Sequence, residues 1–433
     1  MVESLREREV LYKLIISQLR YDGLDMVAAN LAKCVGLETT PLSPSSRLLG
    51  LMKLGLQEEK NGIVPDMETP PGLVPPIPPA RGLDLEYETE DYGTSPPMSQ
   101  YETHYVTAHK GPCTAAAFSH DGRLITTGSN DASIKIIDVD RMLAKAAQSQ
   151  AERQAEKESD EGAGMKNHPV MRTMYDHDST ITFLEFHPTI PILASGSEDR
   201  TVKLFDFSKS SAKKAYKTIE EAETIRGISF HPAGDHILIA TDSPTVRLYD
   251  LKTFQCYVSN NPRDQHTGAL TCVKYTPGAH LYATSSKDGS FKIWDGVSNR
   301  CVNTFKAAHG GAEVTAVRFT KNSKYVLTSG KDSCSRLWEL TTGRAINIYV
   351  GSNLHQGCYS PSIFNHTEDY VVFPDDKSMS IGCWDSRTTE KLQSLHSGHN
   401  NFIRYLVHSP VESAMMSCSE DYRARFWYCK GSG

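Results

Sequence analysis

A repeat of about 44 residues runs through most of the chain and restricts its possible folds more than any other feature. The four tryptophans of the 433-residue sequence lie in its last third, at successive intervals of 44, 46 and 43 residues. Similar segments extend the repeat upstream to seven copies. They are SIKIID (133–138), TVKLFD (201–206), TVRLYD (245–250), SFKIWD (290–295), SRLWE (335–339), IGCWD (381–385) and ARFWY (424–428). Seven equal units predict a repeat array in which each unit packs mainly on its neighbours.

Each copy reads as short strands joined by turns. Half-apolar segments such as CTAAAF (113–118) are followed by a turn and a second strand such as ILASGS (192–197). An acidic residue lies at a nearly fixed position in every copy: Asp131, Asp199, Asp242, Asp288, Asp332, Asp376 and Asp421. The first interval is longer than the others by about 24 residues, which the charged stretch 141–166 supplies. Its composition predicts a solvated insertion, which we place at residues 141–170.

Several copies carry His, a hydroxyl residue, Asp and Trp at matching offsets. The complete sets are His266, Thr284, Asp288, Trp294; His309, Thr328, Asp332, Trp338; and His399, Ser417, Asp421, Trp427. Two further sets lack only the Trp: His177, Ser195, Asp199 with Phe205, and His109, Thr127, Asp131 with Ile137. Such a set imitates a catalytic Ser-His-Asp triad. Because it recurs with the repeat, we expect it to stabilise the fold, with Asp accepting hydrogen bonds and the His donating toward the hydroxyl.

The repeat pattern, Gly-Ser-x-Asp-x-apolar-Val-Lys-apolar-Trp-Asp with a His about 22 residues before the Asp, resembles the WD-repeat family over residues 103–430. Seven units of that family imply a mainly β fold, a closed seven-bladed WD40 β-propeller at residues 101–430. The last copy ends after its third strand, so we predict that the N-terminal strand 103–107 completes the seventh blade and removes an exposed sheet edge. Copies three and six depart from the pattern and are expected to be the least regular blades.

Two copies carry arginine where four others carry threonine near the start of the first strand. The threonines are Thr114, Thr182, Thr271 and Thr315. In a propeller this strand lines the central channel, so Arg226, Arg404 and the neighbouring Phe402 are candidate contacts for an acidic or C-terminal group of a partner. The alternative is that both arginines pair with carboxylates of the chain itself.

Residues 1–58 read as a small all-α domain of three helices. A leucine-rich unit of this size buries too little surface alone, which favours self-association. The segment LYKLIISQLRYDGLDMVAANLAKCVGL resembles the LisH-type dimerisation motif. The candidate dimerisation residues are Leu11, Leu14, Ile15, Leu19, Val27 and Leu31. The alternative is a monomeric helical cap on the propeller.

Residues 59–100 form a proline-rich and acidic linker. The stretch from Asn61 to Gln100 holds nine of the 22 prolines, a composition typical of an extended polyproline segment. The segment serves as a tether or as a ligand for a proline-reading groove. We expect Ser95-Pro96 to be an exposed candidate for proline-directed phosphorylation.

Composition argues against several classes of function. The net charge of −6 argues against broad electrostatic binding of nucleic acid. The ten cysteines lack metal-site or disulfide spacing. No apolar run approaches the length of a membrane helix and the charged start is unlike a signal peptide, which predicts an intracellular protein. Without a Gly-rich phosphate loop, or a nucleophile and base outside the repeat, we expect neither enzyme activity nor a cofactor.

A helical head, a proline-rich linker and a seven-bladed propeller occur here in that order, with strings such as YDGLDMVAANLAKC and ARGLDLEYETEDYG. The whole chain resembles the family of WD-repeat subunits of cleavage stimulation factor. That resemblance implies a non-enzymatic nuclear scaffold that homodimerises through its head and acts in cleavage and polyadenylation of messenger-RNA precursors. The implied partners are the helical-repeat subunit of the same factor and the RNA polymerase II C-terminal tail. RNA would be contacted indirectly or weakly.

One rival interpretation belongs to another class of protein. The string Trp384-Asp385-Ser386-Arg387 fits the W-D-x-R pattern by which some propellers dock on cullin-type ubiquitin ligases. On that pattern the chain would be a WD-repeat substrate receptor.

Overall fold

The computed structural model describes residues 12–19, 25–35, 83, 85, 95–147, 168–209, 213–259, 261–351 and 360–429. The chain divides into two compact units, residues 1–75 and residues 76–433. Leu11, the third predicted helix, most of the linker and most of the insertion lie outside the described residues. In the part of the chain that is described, no helix is long and apolar enough to cross a membrane.

The described residues of the first unit form two helices, α1 (residues 12–19) and α2 (Asp25–Val35). Apolar side chains spaced three and four residues apart give each helix one buried face. Ile16 of α1 is buried together with Ala28 and Ala32 of α2. Leu19 and Leu31 are half-buried beside this contact, so the two helices share a small apolar core of their own.

The second unit is a ring of seven four-stranded antiparallel sheets, the blades, which confirms the predicted seven-bladed propeller. The first strands of adjoining blades contact one another, so these strands surround the central channel. Because successive strands are joined by short turns, each repeat folds mostly into one blade of antiparallel hairpins.

The strands are numbered from the N-terminus. The first, β1 (Glu102–Ala108), precedes the repeats. Blade I contains β2 (Cys113–Phe118), β3 (Leu124–Ser129), β4 (Ser133–Asp138) and β5 (Val170–Tyr175). Blade II contains β6 (Ile181–Phe186), β7 (Ile192–Ser197), β8 (Thr201–Asp206) and β9 (Lys217–Glu220). Blade III contains β10 (Ile225–Phe230), β11 (His236–Thr241), β12 (Arg247–Asp250) and β13 (Cys256–Val258). Blade IV contains β14 (Leu270–Tyr275), β15 (Leu281–Ser286), β16 (Phe291–Asp295) and β17 (Cys301–Phe305).

The remaining blades follow the same order. Blade V contains β18 (Val314–Phe319), β19 (Tyr325–Gly330), β20 (Ser335–Glu339) and β21 (Ala345–Tyr349). Blade VI contains β22 (Ile363–Phe364), β23 (Tyr370–Asp375), β24 (Ser380–Asp385) and β25 (Leu395–His396). Blade VII contains β26 (Ile403–His408), β27 (Ala414–Ser419) and β28 (Arg423–Tyr428), with β1 as its fourth strand. Two 3-10 helices span Met98–Gln100 and Pro262–Asp264.

Strand β1 closes the ring as predicted. It pairs antiparallel with β28, from Glu102 opposite Tyr428 to Ala108 opposite Arg423. The predicted strand, residues 103–107, lies within the observed one. The N-terminal segment therefore covers the edge of β28 that would otherwise expose unpaired main-chain groups.

Blades III and VI are the least regular, as expected. Their strands β13, β22 and β25 have three, two and two residues and are the shortest strands of the described propeller. In blade III the repeat is one residue shorter near Asp242, and in blade VI the first strand is reduced to Ile363–Phe364. Both departures follow the copies in which the repeat pattern is broken.

The start of the insertion is packed on the propeller. Residues Val139–Ala147 form a helix, α3, whose Val139 and Met142 side chains are buried. The helix contacts β1 and β4. The prediction of a solvated insertion is therefore wrong for the start of the insertion, because Met142 and Leu143 lie three and four residues after Val139 and share its apolar helix face.

The end of the linker also belongs to the propeller. Leu83 is only 2% exposed and packs among apolar side chains of blades V and VI. Its N–H donates to the Glu368 carboxylate (2.7 Å), and its carbonyl accepts from Asn322 Nδ2 (2.6 Å). Met98 and Tyr101 are buried in the core between blades VI and VII.

The expectation that Ser95-Pro96 is exposed is wrong. Ser95 is 5% exposed, and its hydroxyl lies 2.5 Å from Thr367 Oγ1 and 2.9 Å from Asn365 Nδ2. The Tyr370 hydroxyl also donates to the Ser95 carbonyl (3.2 Å). These contacts hold the serine against the turn between β22 and β23.

A Leu83→Ala variant tests whether this segment is part of the fold. Loss of the buried side chain should lower the free energy of unfolding by about 2 to 5 kcal/mol, measured by chemical denaturation. Val297→Ala is the control, because Val297 is 89% exposed and should change little. An unchanged midpoint for Leu83→Ala would mean that the segment is a tether only.

Candidate functional site

The His, hydroxyl, Asp and Trp side chains of blade IV form one hydrogen-bonded chain. His266 Nδ1 lies 3.2 Å from Asp288 Oδ2, and its Nε2 lies 2.8 Å from Thr284 Oγ1. The Trp294 indole N–H donates to the same hydroxyl (2.8 Å). The four side chains come from the segment before β14, from β15, from the β15–β16 turn and from β16, so they tie these elements together.

Four other blades repeat this arrangement, two of them completely. In blade V the His309 contacts are 2.8 Å to Asp332 and 2.9 Å to Thr328, and Trp338 donates to Thr328 (2.9 Å). In blade VII the His399 contacts are 3.0 Å to Asp421 and 2.8 Å to Ser417, and Trp427 donates to Ser417 (2.9 Å). In blade II His177 contacts Asp199 (2.7 Å) and Ser195 (2.6 Å). In blade I His109 Nε2 contacts Thr127 (2.9 Å), but its Nδ1 contacts Ser133 (2.8 Å) and lies 3.8 Å from Asp131, so Ser133 takes the place expected for the Asp.

Electrostatics fix the direction of each hydrogen bond. Partial burial opposes ionisation of Asp288, but hydrogen bonds from His266, Ser290 and the Thr267 N–H hold its pKa well below the ordinary value. Burial lowers the pKa of His266, although the Asp288 carboxylate opposes this shift. The neutral imidazole therefore donates from Nδ1 to the carboxylate and accepts at Nε2 from the Thr284 hydroxyl. This corrects the expectation that the His donates toward the hydroxyl.

These hydrogen-bonded side chains have a structural role, because no substrate can reach their hydroxyl groups. The hydroxyls of Thr284, Thr328 and Ser417 are completely buried, and each also accepts an indole N–H. A nucleophile must contact its substrate, and these oxygens contact only the interior of the blade. Within the described residues, no group of three or more His, Cys, Asp or Glu side chains is placed to hold a metal ion.

The set of His, hydroxyl, Asp and Trp side chains is here called the tetrad. Asp242 does not take the position of the tetrad Asp in blade III. Its N–H donates to the Thr224 carbonyl (3.0 Å), as the N–H of Glu198 does to Thr180 (2.9 Å) and that of Lys287 to Ala269 (2.9 Å). Glu198 and Lys287 each precede a tetrad Asp, so Asp242 occupies that preceding position. The copy is one residue shorter, and this shift makes the prediction for Asp242 wrong.

Blade VI has tryptophan without a tetrad. Trp384 pairs with Val371, thirteen residues earlier, whereas Trp294 pairs with Tyr282, twelve residues earlier. The residue ten positions before Trp384 is Pro374, which has no hydroxyl. The indole N–H of Trp384 donates to the Val350 carbonyl instead (2.9 Å).

The central channel contains a cavity of about 380 Å³. Its wall includes the repeated threonines Thr114, Thr182, Thr271 and Thr315. Arg226 and Arg404 lie on the same wall, as the sequence predicted for the first strand. Arg226 donates from Nε (2.9 Å) and Nη2 (2.7 Å) to Asp242, and Arg404 pairs with Glu420. The structure thus shows the alternative stated for these arginines, pairing with carboxylates of the chain itself.

Phe402 and Arg318 differ in their relation to the channel cavity. Phe402 is half-buried; its carbonyl accepts from the Glu420 N–H (2.9 Å), but its side chain is not among those lining the cavity. Arg318 of β18 does line the cavity, and sequence reasoning missed it. The signal was available, since Arg318 lies two residues after Ala316, which also lines the cavity, and residues two apart in a strand share a face.

The candidate dimerisation residues fall into two groups. Leu19 and Leu31 pack against the buried contact between α1 and α2. Leu14 and Ile15 are half-buried, and Val27 is 51% exposed. Ile16, Ala28 and Ala32, which the prediction omitted, form the centre of the contact. Helical spacing alone could not separate the face packed within the head from the face left open.

A seven-bladed propeller with buried tetrads and a separate helical unit defines a non-catalytic WD-repeat scaffold. Residues 3–60 match the family described as cleavage stimulation factor subunit 1, dimerisation domain. Residues 98–267 match the Nucleolar protein 10-like N-terminal domain, and residues 259–295, 299–339 and 390–428 match the WD domain, G-beta repeat.

Full-length similarity identifies the family. The chain is 37% identical to cleavage stimulation factor subunit 50 of Arabidopsis thaliana over 422 residues, covering 96% of this chain and 94% of that protein. Partial relatives include Pre-mRNA-processing factor 19 of Bos taurus, 29% identical over 29% of this chain and 24% of that protein. Nuclear distribution protein PAC1 of Gibberella zeae is 28% identical over 60% and 61%. The chain belongs to the cleavage stimulation factor subunit 1, or subunit 50, family, and its head is a homodimerisation domain.

A Thr284→Val variant tests the structural role of the tetrad. It keeps the side-chain shape but leaves His266 Nε2 and the Trp294 N–H buried without the hydroxyl. We expect the free energy of unfolding to fall by about 1 to 3 kcal/mol in denaturant titration. Thr218→Val, on the exposed side of β9, is the matched control. Equal stability of the two variants would refute the role.

Proposed function

We propose that this protein is a scaffold subunit that assembles cleavage stimulation factor for cleavage and polyadenylation of messenger-RNA precursors in the nucleus. One observation carries the proposal: a single chain combines the dimerisation-domain match with 37% identity to the Arabidopsis subunit over 96% of its length. A dimer presents two copies of the propeller together, which raises the effective concentration of any bound partner.

The proposed partners follow from this role. The propeller binds the helical-repeat subunit of the same factor, the RNA polymerase II C-terminal tail is a further partner, and RNA is contacted indirectly or weakly. The net charge of −6 supports weak RNA contact, because phosphate binding requires a basic surface. We assign residues 1–58 to the dimerising head, 59–100 to the linker and 101–430 to the propeller, with the insertion at 141–170.

We place the partner contact at the mouth of the channel, at Arg226, Arg404 and Phe402. Both arginines already face Asp242 and Glu420, so an acidic partner group would share or replace an existing carboxylate. Such an exchange costs little desolvation because the ion pairs are partly exposed. The contact would therefore select a partner by geometry more than by charge.

A pull-down of the intact protein tests the scaffold function. Polyadenylation factors, including the helical-repeat subunit, should co-purify, and Arg226→Gln combined with Arg404→Gln should reduce their recovery. Arg344→Gln, exposed at the outer side of blade V, is the matched control. A cullin adaptor as the main partner would contradict the proposal. In the W-D-x-R string, Trp384 and Ser386 are completely buried, which disfavours that rival role.

The open face of the head supplies a test of the dimer contact. We propose that Val27, with Leu14 and Ile15, meets the second copy, while Leu19 and Leu31 mainly support the head itself. Val27→Glu should place a charge in that contact and halve the mass measured by sedimentation. Ala29→Glu is the control, because Ala29 is exposed on another side of α2. An unchanged dimer in Val27→Glu would reject this face.

A further inference from the structure

Three arginines from alternate blades lie on the wall of the channel cavity, and one differs from the other two. Arg226 and Arg404 are paired with Asp242 and Glu420. Arg318 donates only to neutral atoms in the described part of the chain. These are the Tyr405 hydroxyl (3.1 Å), the Val317 carbonyl (3.3 Å) and the Cys272 sulfur (3.8 Å).

Burial opposes the charge of the Arg318 guanidinium, but Tyr405, Cys272 and Glu185 favour it and raise its pKa. Glu185 of blade II forms an ion pair with Lys274 of blade IV. Glu185 is therefore already paired with Lys274, and Arg318 has no ion pair of its own among the described residues. A half-buried cation whose hydrogen bonds all go to neutral atoms is costly to keep, and proteins commonly reserve such a group for an anionic ligand.

Tyr405 supplies a second donor beside Arg318. Its oxygen accepts from the guanidinium, which leaves the hydroxyl hydrogen available, since no described residue accepts it. The Phe183 ring meets the Tyr405 ring edge to face, with centroids 6.4 Å apart, and fixes its orientation. Burial raises the pKa of Tyr405, so its hydroxyl keeps its hydrogen at neutral pH.

We propose that Arg318 and Tyr405 form a carboxylate-binding site that accepts one acidic side chain of a partner polypeptide entering through the channel mouth. The proposal rests on the scaffold function and specifies the chemistry of its channel. One guanidinium and one neutral phenol match a single negative charge, whereas a phosphate dianion would leave a charge unpaired in a confined site. A cavity of about 380 Å³ holds a side chain with its adjoining main chain.

Isothermal titration of the full-length protein with hexaglutamate tests the site, with hexaglutamine as the matched neutral peptide. Hexaglutamate should bind and hexaglutamine should not. Arg318→Met should weaken binding by roughly tenfold or more, and Tyr405→Phe by roughly threefold to tenfold. Arg344→Met removes an exposed arginine from the same blade and should leave the affinity unchanged.

Three results would overturn the proposal. They are no binding of hexaglutamate to the unmodified protein, equal affinity in Arg318→Met and Arg344→Met, and displacement of the peptide by inorganic phosphate at similar concentration. If Arg318→Met does not fold, Tyr405→Phe decides alone, because it removes one oxygen and keeps the ring. Co-purification of polyadenylation factors with the unmodified protein tests the scaffold function independently. A positive co-purification would therefore support the scaffold function even if the carboxylate-binding site were refuted.

Discussion

The pairing of β1 with β28 joins residues more than 300 positions apart in the chain, and the whole ring depends on it. Each of the other six blades is formed by consecutive strands, whereas blade VII needs a strand from the far end of the propeller. Bringing these ends together costs loop-closure entropy, which the contacts within blade VII must offset. Helix α3 packs on β1, so part of the insertion stabilises the closing strand.

The two blades without tetrads keep their place by different means. In blade III, Asp242 binds both Arg226 and Lys287, and so links blades III and IV at the channel. In blade VI, the segment before β1 supplies the missing support. Leu83 enters the apolar core, and Ser95 anchors the turn after β22. The linker thus contributes to blade VI what the tetrad contributes elsewhere.

The repeat period predicted the structural features that recur from blade to blade. It could not predict the features that depend on contacts between residues far apart in the chain. The seven blades, the five hydrogen-bonded sets and the closing strand follow from residues at repeated offsets. The shift at Asp242 could not be assigned because one missing residue leaves two alignments open, and only the N–H bond to Thr224 distinguishes them. The burial of Ser95 depends on partners some 270 positions away, which no local pattern contains. Exposed and buried faces of the head were likewise indistinguishable by spacing.

The charges of the channel bear on how it selects a partner. At the mouth, Arg226 and Arg404 are neutralised by neighbouring carboxylates, so they produce little long-range attraction. Arg318 has no ion pair among the described residues but lies on the wall beside the side chains of Tyr405 and Cys272, where its field reaches only a group that has already entered. A channel built in this way discriminates after contact, through fit and hydrogen bonding. That property suits a scaffold, because an acidic surface that merely passes by gains nothing until one of its side chains can be inserted.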